Sequence, residues 1–224
     1  MLLYGNTSWT SPYVLSCFVA LREKGIAFDV KVVALERGEQ YDADFARSSL
    51  TARVPVLVDG DVTLSESSAI VEYLEDAYPA PGHARVLPAG VRERARARQV
   101  MAWVRSDVGP LREERSSEWV FYPHAEIDPF KPLSADARKA AAKVLALADQ
   151  LVPRDAGPLF GSWCVADTDL AMMLQRLVKC GDDVPSRLRN YAEQQWARPA
   201  VKEYCGQKRP PFHGVRTYPT ARVT

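Results

Sequence analysis

The 224-residue chain is 47% hydrophobic and 25% charged, with a formal net charge of +1 at pH 7, which is typical of a soluble globular protein of one or two domains. No apolar run approaches the ~20 residues that span a bilayer, and the N-terminus lacks the pattern of a signal peptide. We therefore expect no membrane segment and a cytoplasmic location. Basic residues alternate with acids, as in "LREERSSE", which argues against a nucleic-acid-binding face.

The cysteine and histidine content argues against a metal site and a disulfide framework. The chain has three histidines and four widely spaced cysteines, and none of the cysteines forms a Cys-x-x-Cys pair. We expect each cysteine to be a small buried hydrophobic residue or a surface thiol. They are Cys17, Cys164, Cys180 and Cys205.

The charge is divided unevenly along the chain. Residues 1–80 carry 6 Lys and Arg against 12 Asp and Glu, a balance of −6. Residues 81–224 carry 23 against 16, a balance of +7. This asymmetry indicates two domains.

The first eighty residues alternate between strand and helix patterns. "MLLY" is a short apolar strand, "PYVLSCFVALREKG" has one apolar helical face and ends at Gly25, and "FDVKVVAL" alternates as a strand. This order is a βαβ unit, so its two strands should be parallel. "VPVLV" and "VTL" flank Asp59-Gly60, which predicts a hairpin.

An amphipathic helix follows the hairpin. Its apolar residues are Ala69, Ile70, Tyr73, Leu74 and Ala77. The order is therefore βαβ and then ββα, which predicts an α/β domain over 1–80.

The remainder of the chain is predicted to be helical. The stretch "PAPGHARVLPAG" is rich in proline and glycine, which predicts a linker over 81–90. An all-α domain over 91–206 begins with a long helix that is perturbed at Gly109-Pro110. Two further long helices and two short ones, after Pro185 and Pro199, follow it. The proline-rich segment 207–224 is predicted to be an irregular tail.

A small βαβ-ββα domain, an all-helical domain and a Ser11-Pro12-Tyr13 motif at the first helix together resemble the cytosolic glutathione transferases of the serine type. The resemblance covers nearly the whole chain apart from the tail. It implies a thioredoxin-like N-terminal domain that binds glutathione and an all-α C-terminal domain. It also implies a homodimer and a role in detoxification.

Ser11 stands where a glutaredoxin has its first active-site cysteine, and Val14 stands where the second would be. A hydroxyl at a helix N-terminus can donate to a thiolate that comes from the substrate, and the helix dipole adds to that effect. The alternative is a plain N-cap before Pro12. Three polar neighbours in the same loop could also supply the donor; they are Asn6, Ser8 and Thr10.

Two further motifs match the family's glutathione site. Glu66-Ser67 opens the helix after the hairpin, and by resemblance the pair would hold the γ-glutamyl end of glutathione, although it could be an ordinary helix start. Val54 precedes Pro55, and the resemblance implies a cis bond there and pairing of the Val54 backbone with the cysteinyl unit of glutathione. Arg53 either meets a carboxylate of glutathione or is a solvated surface arginine.

The stretch "GSWCVADTDLAMM" resembles the buried folding motif of the family's second domain. Asp167 matches the motif, and we interpret it as structural. Cys164 occupies the position of a hydroxyl residue, and a thiol is a weak acceptor, which argues against an effective cap there.

The leading hypothesis is a glutathione transferase that uses glutathione as co-substrate and attacks a small-molecule electrophile or a peroxide. A non-enzymatic scaffold of the same fold is the alternative, and the intact Glu66-Ser67 pair argues against it. A glutaredoxin-like oxidoreductase is disfavoured because positions 11 and 14 lack cysteine. The second substrate is not identified; four aromatic residues could line its pocket or belong to the core or an interface, namely Trp103, Trp119, Phe121 and Tyr122.

Overall fold

The computed structural model describes residues 1–122, 131–212 and 214. The chain divides into two compact units. The first contains Met1–Ala84 and, among the described residues, 203–212 and 214; the second is Arg85–Lys202. This division does not test the linker and domain ranges predicted from the sequence, which remain a proposal. Of the predicted tail, residues 213 and 215–224 lie outside the described part of the chain.

The first unit is built on a mixed β-sheet. Within its described residues the sheet has four strands, which are β1 (Leu2–Asn6), β2 (Asp29–Val33), β3 (Val56–Asp59) and β4 (Val62–Ser65). Their order across the sheet is β2-β1-β3-β4. Strands β1 and β2 are parallel, whereas β1 with β3 and β3 with β4 are antiparallel. The predicted βαβ unit and hairpin are confirmed, and so is the thioredoxin-like α/β class.

Helices of the first unit are α1 (Pro12–Glu23), α2 (Ala43–Ser48) and α3 (Ser67–Ala77), and two short 3-10 turns lie at Leu35–Arg37 and Glu39–Tyr41. Helices α1 and α3 were predicted, whereas α2 and the 3-10 turns were not. The hairpin turn lies one residue later than predicted, because Asp59 pairs with Val62 and the two loop residues are Gly60 and Asp61. Gly60 adopts φ +61°, a left-handed conformation that its missing Cβ permits.

A buried ion pair joins α1 to α3. The Lys24 ammonium lies 3.0 Å from a Glu75 carboxylate oxygen, and the two side chains are 0% and 3% exposed. Lys24 Nζ also donates to the carbonyls of Tyr78 and Ala84, each at 3.0 Å. Since a buried charge is tolerated when it is paired and hydrogen-bonded, these contacts fix the end of α1 against α3 and the chain that follows it.

The second unit is helical, as predicted. Its described helices are α4 (Val91–Ser106), α5 (Gly109–Glu114), α6 (Glu118–Phe121), α7 (Ala135–Leu151), α8 (Val165–Lys179) and α9 (Ser186–Trp196). The next helix, α10 (Pro199–Cys205), begins in the second unit and ends in the first. The predicted long helix is interrupted at Asp107 and Val108, where Val108 adopts φ +55°, and so directly before the predicted Gly109-Pro110, which begins α5. Helix α8 is buried along almost its whole length and packs against α4, α7 and α9.

Helix α8 begins in a capping box. Asp167 Oδ2 accepts from the Cys164 N–H and Oδ1 from the Leu159 N–H, both at 2.9 Å, and the Tyr191 hydroxyl donates to Oδ1 at 2.9 Å. The reciprocal half of the box is made by the Cys164 side chain. The structural interpretation of Asp167 is therefore confirmed. The argument against a cap at Cys164 is wrong, because the carboxylate makes the stronger half of the box and the thiol completes it.

In the described ranges, no helix combines the length and the hydropathy that crossing a bilayer requires.

Candidate functional site

Three segments of the first unit meet at one edge of the sheet. Strand β1 runs antiparallel to β3 with Tyr4 opposite Val56, and β3 runs antiparallel to β4 with Val56 opposite Ser65. The carboxyl ends of β1 and β4 therefore share an edge with the start of β3. The segments that leave this edge carry the residues predicted from the sequence, which are Ser11, Arg53, Val54, Glu66 and Ser67.

Ser11 is the N-cap of α1. Its backbone is extended (φ −74°, ψ 119°), its Oγ accepts from the Val14 N–H at 3.3 Å, and Pro12 begins the helix. The side chain is half-buried. Accepting from Val14 uses a lone pair of the oxygen and not the hydroxyl proton. Ser11 can therefore cap the helix and donate a hydrogen bond to an anion at the same time.

The three polar neighbours of Ser11 bind one another. Asn6 Nδ2 donates to Ser8 Oγ at 2.6 Å and to Thr10 Oγ1 at 3.2 Å, and the two hydroxyls lie 2.9 Å apart. All three residues are at most 3% exposed. Asn6 Oδ1 accepts from the Ser11 N–H at 3.3 Å, so the cluster is also hydrogen-bonded to the Ser11 backbone.

Val54 and Pro55 are joined by a cis peptide bond, as predicted from the resemblance. The segment before them is organised by two serines. Ser49 Oγ bonds both the N–H and the C=O of Arg53, and Ser65 Oγ accepts from the Leu50 N–H at 3.0 Å. The side chain of Arg53 is exposed, whereas Val54 is buried. A second cis bond, Ala80–Pro81, was not predicted.

Glu66 and Ser67 form the start of α3. Glu66 adopts φ +69°, an uncommon left-handed conformation for a residue with a side chain, and its exposed carboxylate accepts from the Thr51 hydroxyl at 3.1 Å. Ser67 is buried and is the first residue of the helix. A helix N-terminus attracts a carboxylate, and an adjacent Glu attracts an ammonium group. Thr51 was not predicted, and its sequence context carries no motif.

Two residues from the C-terminal part of the chain also contact the Ser11 loop, which is formed by residues 7–11 between β1 and α1. The Tyr204 hydroxyl donates to the Ser11 carbonyl at 3.0 Å, and Arg209 donates to the Trp9 carbonyl at 3.2 Å. Neither residue was among those predicted from the sequence.

The four aromatic residues considered for a substrate pocket have different environments. Trp103 lines an apolar groove of about 290 Å³ between α4 and α7, together with Val100, Leu147 and Leu151. Phe121 lies 6.4 Å from the ring of Trp196, Tyr122 is buried, and Trp119 is half-buried.

Within the described ranges, no group of three or more His, Cys, Asp or Glu side chains could hold a metal ion. All four cysteines are free thiols; Cys205 is half-buried and the other three are buried.

The fold and the site define a thioredoxin-like domain that is followed by a helical domain. Residues 10–77 match the family described as "Glutathione S-transferase, N-terminal domain", and residues 90–208 match "Glutathione S-transferase, C-terminal domain". The chain therefore belongs to the glutathione S-transferase family, which confirms the resemblance.

Solved structures match over nearly the whole chain. A glutathione transferase homologue from Burkholderia BGR1, solved with bound glutathione, is 43% identical; the match covers 91% of this chain and 94% of that chain, with a TM-score of 0.72. A maleylacetoacetate isomerase from Methylobacterium extorquens AM1, solved with bound malonate and glutathione, is 27% identical, with coverage of 91% and 95% and a TM-score of 0.69.

Curated relatives match over a shorter range. A probable maleylacetoacetate isomerase from Vibrio cholerae is 33% identical over 54% of this chain and 54% of its own length. Glutathione S-transferase Z1 from Arabidopsis thaliana is 37% identical over 46% of this chain and 45% of its own length. The chain thus spans about half the length of the curated relatives it matches.

Proposed function

We propose that this protein binds glutathione at the sheet edge of the first unit, lowers the pKa of its thiol and directs the thiolate at a small electrophile or peroxide. One observation carries the proposal. A half-buried hydroxyl at the N-terminus of α1, that of Ser11, shares an edge of the sheet with Val54 and with Glu66-Ser67 at the start of α3. The solved relative that holds glutathione supports the choice of ligand.

Each site residue has a role in this proposal. The Val54 backbone pairs with the cysteinyl unit of glutathione, Glu66 holds the ammonium group, and Ser67 with the start of α3 holds the adjacent carboxylate. Exposed Arg53 lies one residue before Val54 and is proposed to meet the second carboxylate. Ser11 donates to the sulfur, and this bond stabilises the thiolate over the thiol.

Ser11 is preferred over its polar neighbours as the donor. Asn6, Ser8 and Thr10 are each at most 3% exposed, and the bonds among them use both Asn6 Nδ2 hydrogens and one of the two hydroxyl protons, so at most one buried hydroxyl proton remains for a ligand. Ser11 is more exposed, and its hydroxyl proton is not used by the bond from Val14.

A second candidate function is glutathione-dependent isomerisation. Two relatives are named as maleylacetoacetate isomerases. In such a reaction the thiolate adds to a conjugated double bond, the resulting single bond rotates, and elimination of the thiolate regenerates glutathione. The two functions differ in stoichiometry, because a transferase consumes one glutathione per turnover and an isomerase consumes none.

The proposal extends to assembly and location. We infer a homodimer because the family resemblance implies one. Four free thiols fit a reducing compartment, which supports a cytoplasmic location.

The test is Ser11→Ala in the full chain, assayed with glutathione and chlorodinitrobenzene. Loss of the donor should raise the pKa of the bound thiol and lower turnover near pH 7 by roughly 10- to 1000-fold, with a much smaller change in glutathione affinity. The deficit should shrink at high pH, where the thiol ionises without help.

Ser134→Ala is the matched control. Ser134 is the N-cap of α7, and its hydroxyl accepts from the Ala137 N–H at 3.2 Å. Its removal costs a cap and a hydrogen bond from the same hydroxyl to the Glu114 carboxylate, and Ser134 is not one of the proposed site residues. A Ser11→Ala variant with the rate and pH profile of Ser134→Ala would reduce Ser11 to a cap. A parent protein that binds glutathione without turnover of any electrophile would favour the scaffold.

A further inference from the structure

Both backbone polar groups of Ser11 are held by side chains. Its N–H donates to Asn6 Oδ1 at 3.3 Å, and its C=O accepts from the Tyr204 hydroxyl at 3.0 Å as well as from the Leu15 N–H at 3.1 Å. Tyr204 is fully buried in the first unit, 193 residues away along the chain. The position of the Ser11 backbone therefore depends on a contact from outside its own loop and helix.

Arg209 ties the same C-terminal segment to the loop before Ser11. One guanidinium nitrogen donates to the Trp9 carbonyl at 3.2 Å and to the Tyr204 carbonyl at 3.1 Å. The second terminal nitrogen, Nη1, donates to the carbonyls of Cys205 at 2.6 Å and Gln207 at 2.9 Å. A planar guanidinium can span these acceptors because its donors are fixed in one plane.

Trp9 is the strained member of the loop. It adopts φ +51°, which is rarely populated by a bulky side chain. Its ring packs edge-on against Phe18 and Tyr204, with centroid distances of 6.1 and 5.3 Å. Such a conformation persists only where its surroundings hold it, and here Tyr204 and Arg209 hold both the ring and the carbonyl.

We propose that Tyr204 and Arg209 are positioning residues for thiol activation: they hold the carbonyls of Ser11 and Trp9 so that the Ser11 hydroxyl stays aimed at the glutathione sulfur. The inference rests on the proposed function of Ser11. Neither residue needs to touch glutathione, because each acts through the backbone of the loop. Hydrogen-bond donors stabilise a developing charge only when they are held in place beforehand.

The Tyr204 hydroxyl suits this role because it stays neutral. Burial raises its pKa far above the ordinary range of a tyrosine, so it remains a donor across the pH range of an assay. A change in pH profile on removal of this hydroxyl would therefore report the glutathione thiol and not Tyr204 itself.

The first test is Tyr204→Phe, which removes the hydroxyl and keeps the ring. The pKa of bound glutathione, followed by thiolate absorbance against pH, should rise by about 0.5 to 1 unit, and kcat near pH 7 should fall by about 3- to 10-fold. KM for glutathione should change by less than about 2-fold, because the γ-glutamyl contacts are untouched.

Tyr191→Phe is the matched control for this variant. The Tyr191 hydroxyl is also buried and donates at 2.9 Å, but its acceptor is Asp167 in the second unit. Each variant loses one buried hydrogen bond, and Tyr191→Phe should lose at least as much thermal stability as Tyr204→Phe, because its acceptor is a carboxyl group and not a backbone carbonyl. We expect only Tyr204→Phe to change the thiol pKa.

Two variants of Arg209, with a control, test the same proposal if Tyr204→Phe folds poorly. Arg209→Gln should raise the thiol pKa in the same direction, and Arg209→Lys should recover part of the effect. Arg94→Gln is its control, because Arg94 also donates to two backbone carbonyls, those of Pro88 at 2.8 Å and Ala89 at 3.3 Å.

The outcomes separate the inference from the proposed function. If Ser11→Ala raises the thiol pKa, while Tyr204→Phe and Arg209→Gln match their controls in thiol pKa and kcat, the positioning role is overturned and the function stands. If Ser11→Ala leaves the thiol pKa of the parent unchanged, the proposed role of Ser11 fails and the inference fails with it, whereas a parent protein that turns over an electrophile with glutathione keeps the proposed function.

Discussion

The hydroxyl of Ser11 can serve its helix and a thiolate together. It accepts from Val14 through a lone pair, and its proton remains for a partner beyond the helix. A structural cap and a thiol-activating donor are therefore compatible interpretations of one residue. Sequence context cannot choose between them, because both require a hydroxyl directly before Pro12.

Glu66 offers a second test at the scale of a single side chain. Glu66→Ala should weaken glutathione binding by roughly 1–3 kcal/mol, the usual cost of losing a hydrogen bond to a charged group. The thermal midpoint should barely move, since the side chain is exposed and bonds one hydroxyl, that of Thr51. Isothermal titration with glutathione measures the first effect and thermal unfolding the second.

Glu36→Ala is the control for that measurement. Glu36 is also exposed and also accepts from a threonine of the same unit, the half-buried Thr7, at 3.0 and 3.1 Å. It should leave the Kd for glutathione unchanged. An equal Kd for Glu66→Ala and the parent would show that Glu66 plays no part in binding.

At the scale of elements, the contact between α1 and α3 depends on the Lys24–Glu75 pair. Lys24→Met removes the cation and leaves a carboxylate inside the fold, which should lower the free energy of unfolding by about 3–5 kcal/mol. The double variant with Glu75→Leu should recover most of this loss, because neither charge then remains buried. Chemical denaturation followed by circular dichroism measures both changes.

An exposed pair provides the comparison for Lys24. Arg47 and Asp44 on α2 lie 2.5 Å apart, with side chains 72% and 94% exposed. Arg47→Met should change stability by less than about 1 kcal/mol. Equal effects of Lys24→Met and Arg47→Met would mean that the buried pair contributes no more than a solvated one.

The elements that sequence predicts are those whose burial produces a regular pattern. Helices α3 and α8 were found because their apolar residues recur at helical spacing. Helix α2 has six residues and one buried side chain, Phe45, so it has too few turns to show a period. The hairpin turn was displaced by one residue because Asp59-Gly60 and Gly60-Asp61 are equally good turn dipeptides on composition.

At the scale of the whole molecule, sequence patterns predict local motifs of the candidate site but not contacts between residues far apart along the chain. Ser11, Val54 and Glu66 could be proposed from the sequence because each belongs to a short local motif. Tyr204 and Arg209 contact that loop from a position about 190 residues later, and nothing in "EYCGQKRP" marks them. Contacts that depend on the folded path of the chain are visible only in three dimensions.

Oligomeric state is the prediction that concerns the entire molecule. Light scattering should give a mass of twice the 24.9 kDa of one chain. A net charge of +1 produces little repulsion between two copies. A mass of 24.9 kDa at every concentration, with the proposed activity intact, would contradict the homodimer and leave the site unaffected.

The buried cysteines have a consequence for the durability of the proposed enzyme. Burial raises the pKa of Cys180 to about 12 and that of Cys164 further still. At pH 7 a thiol with such a pKa is ionised on the order of one molecule in 100,000, and the thiolate is the form that alkylating agents attack. In a catalyst that handles electrophiles, Cys164 and Cys180 would therefore not compete with the sulfur of the co-substrate, and the protein would avoid inactivating itself through these two thiols.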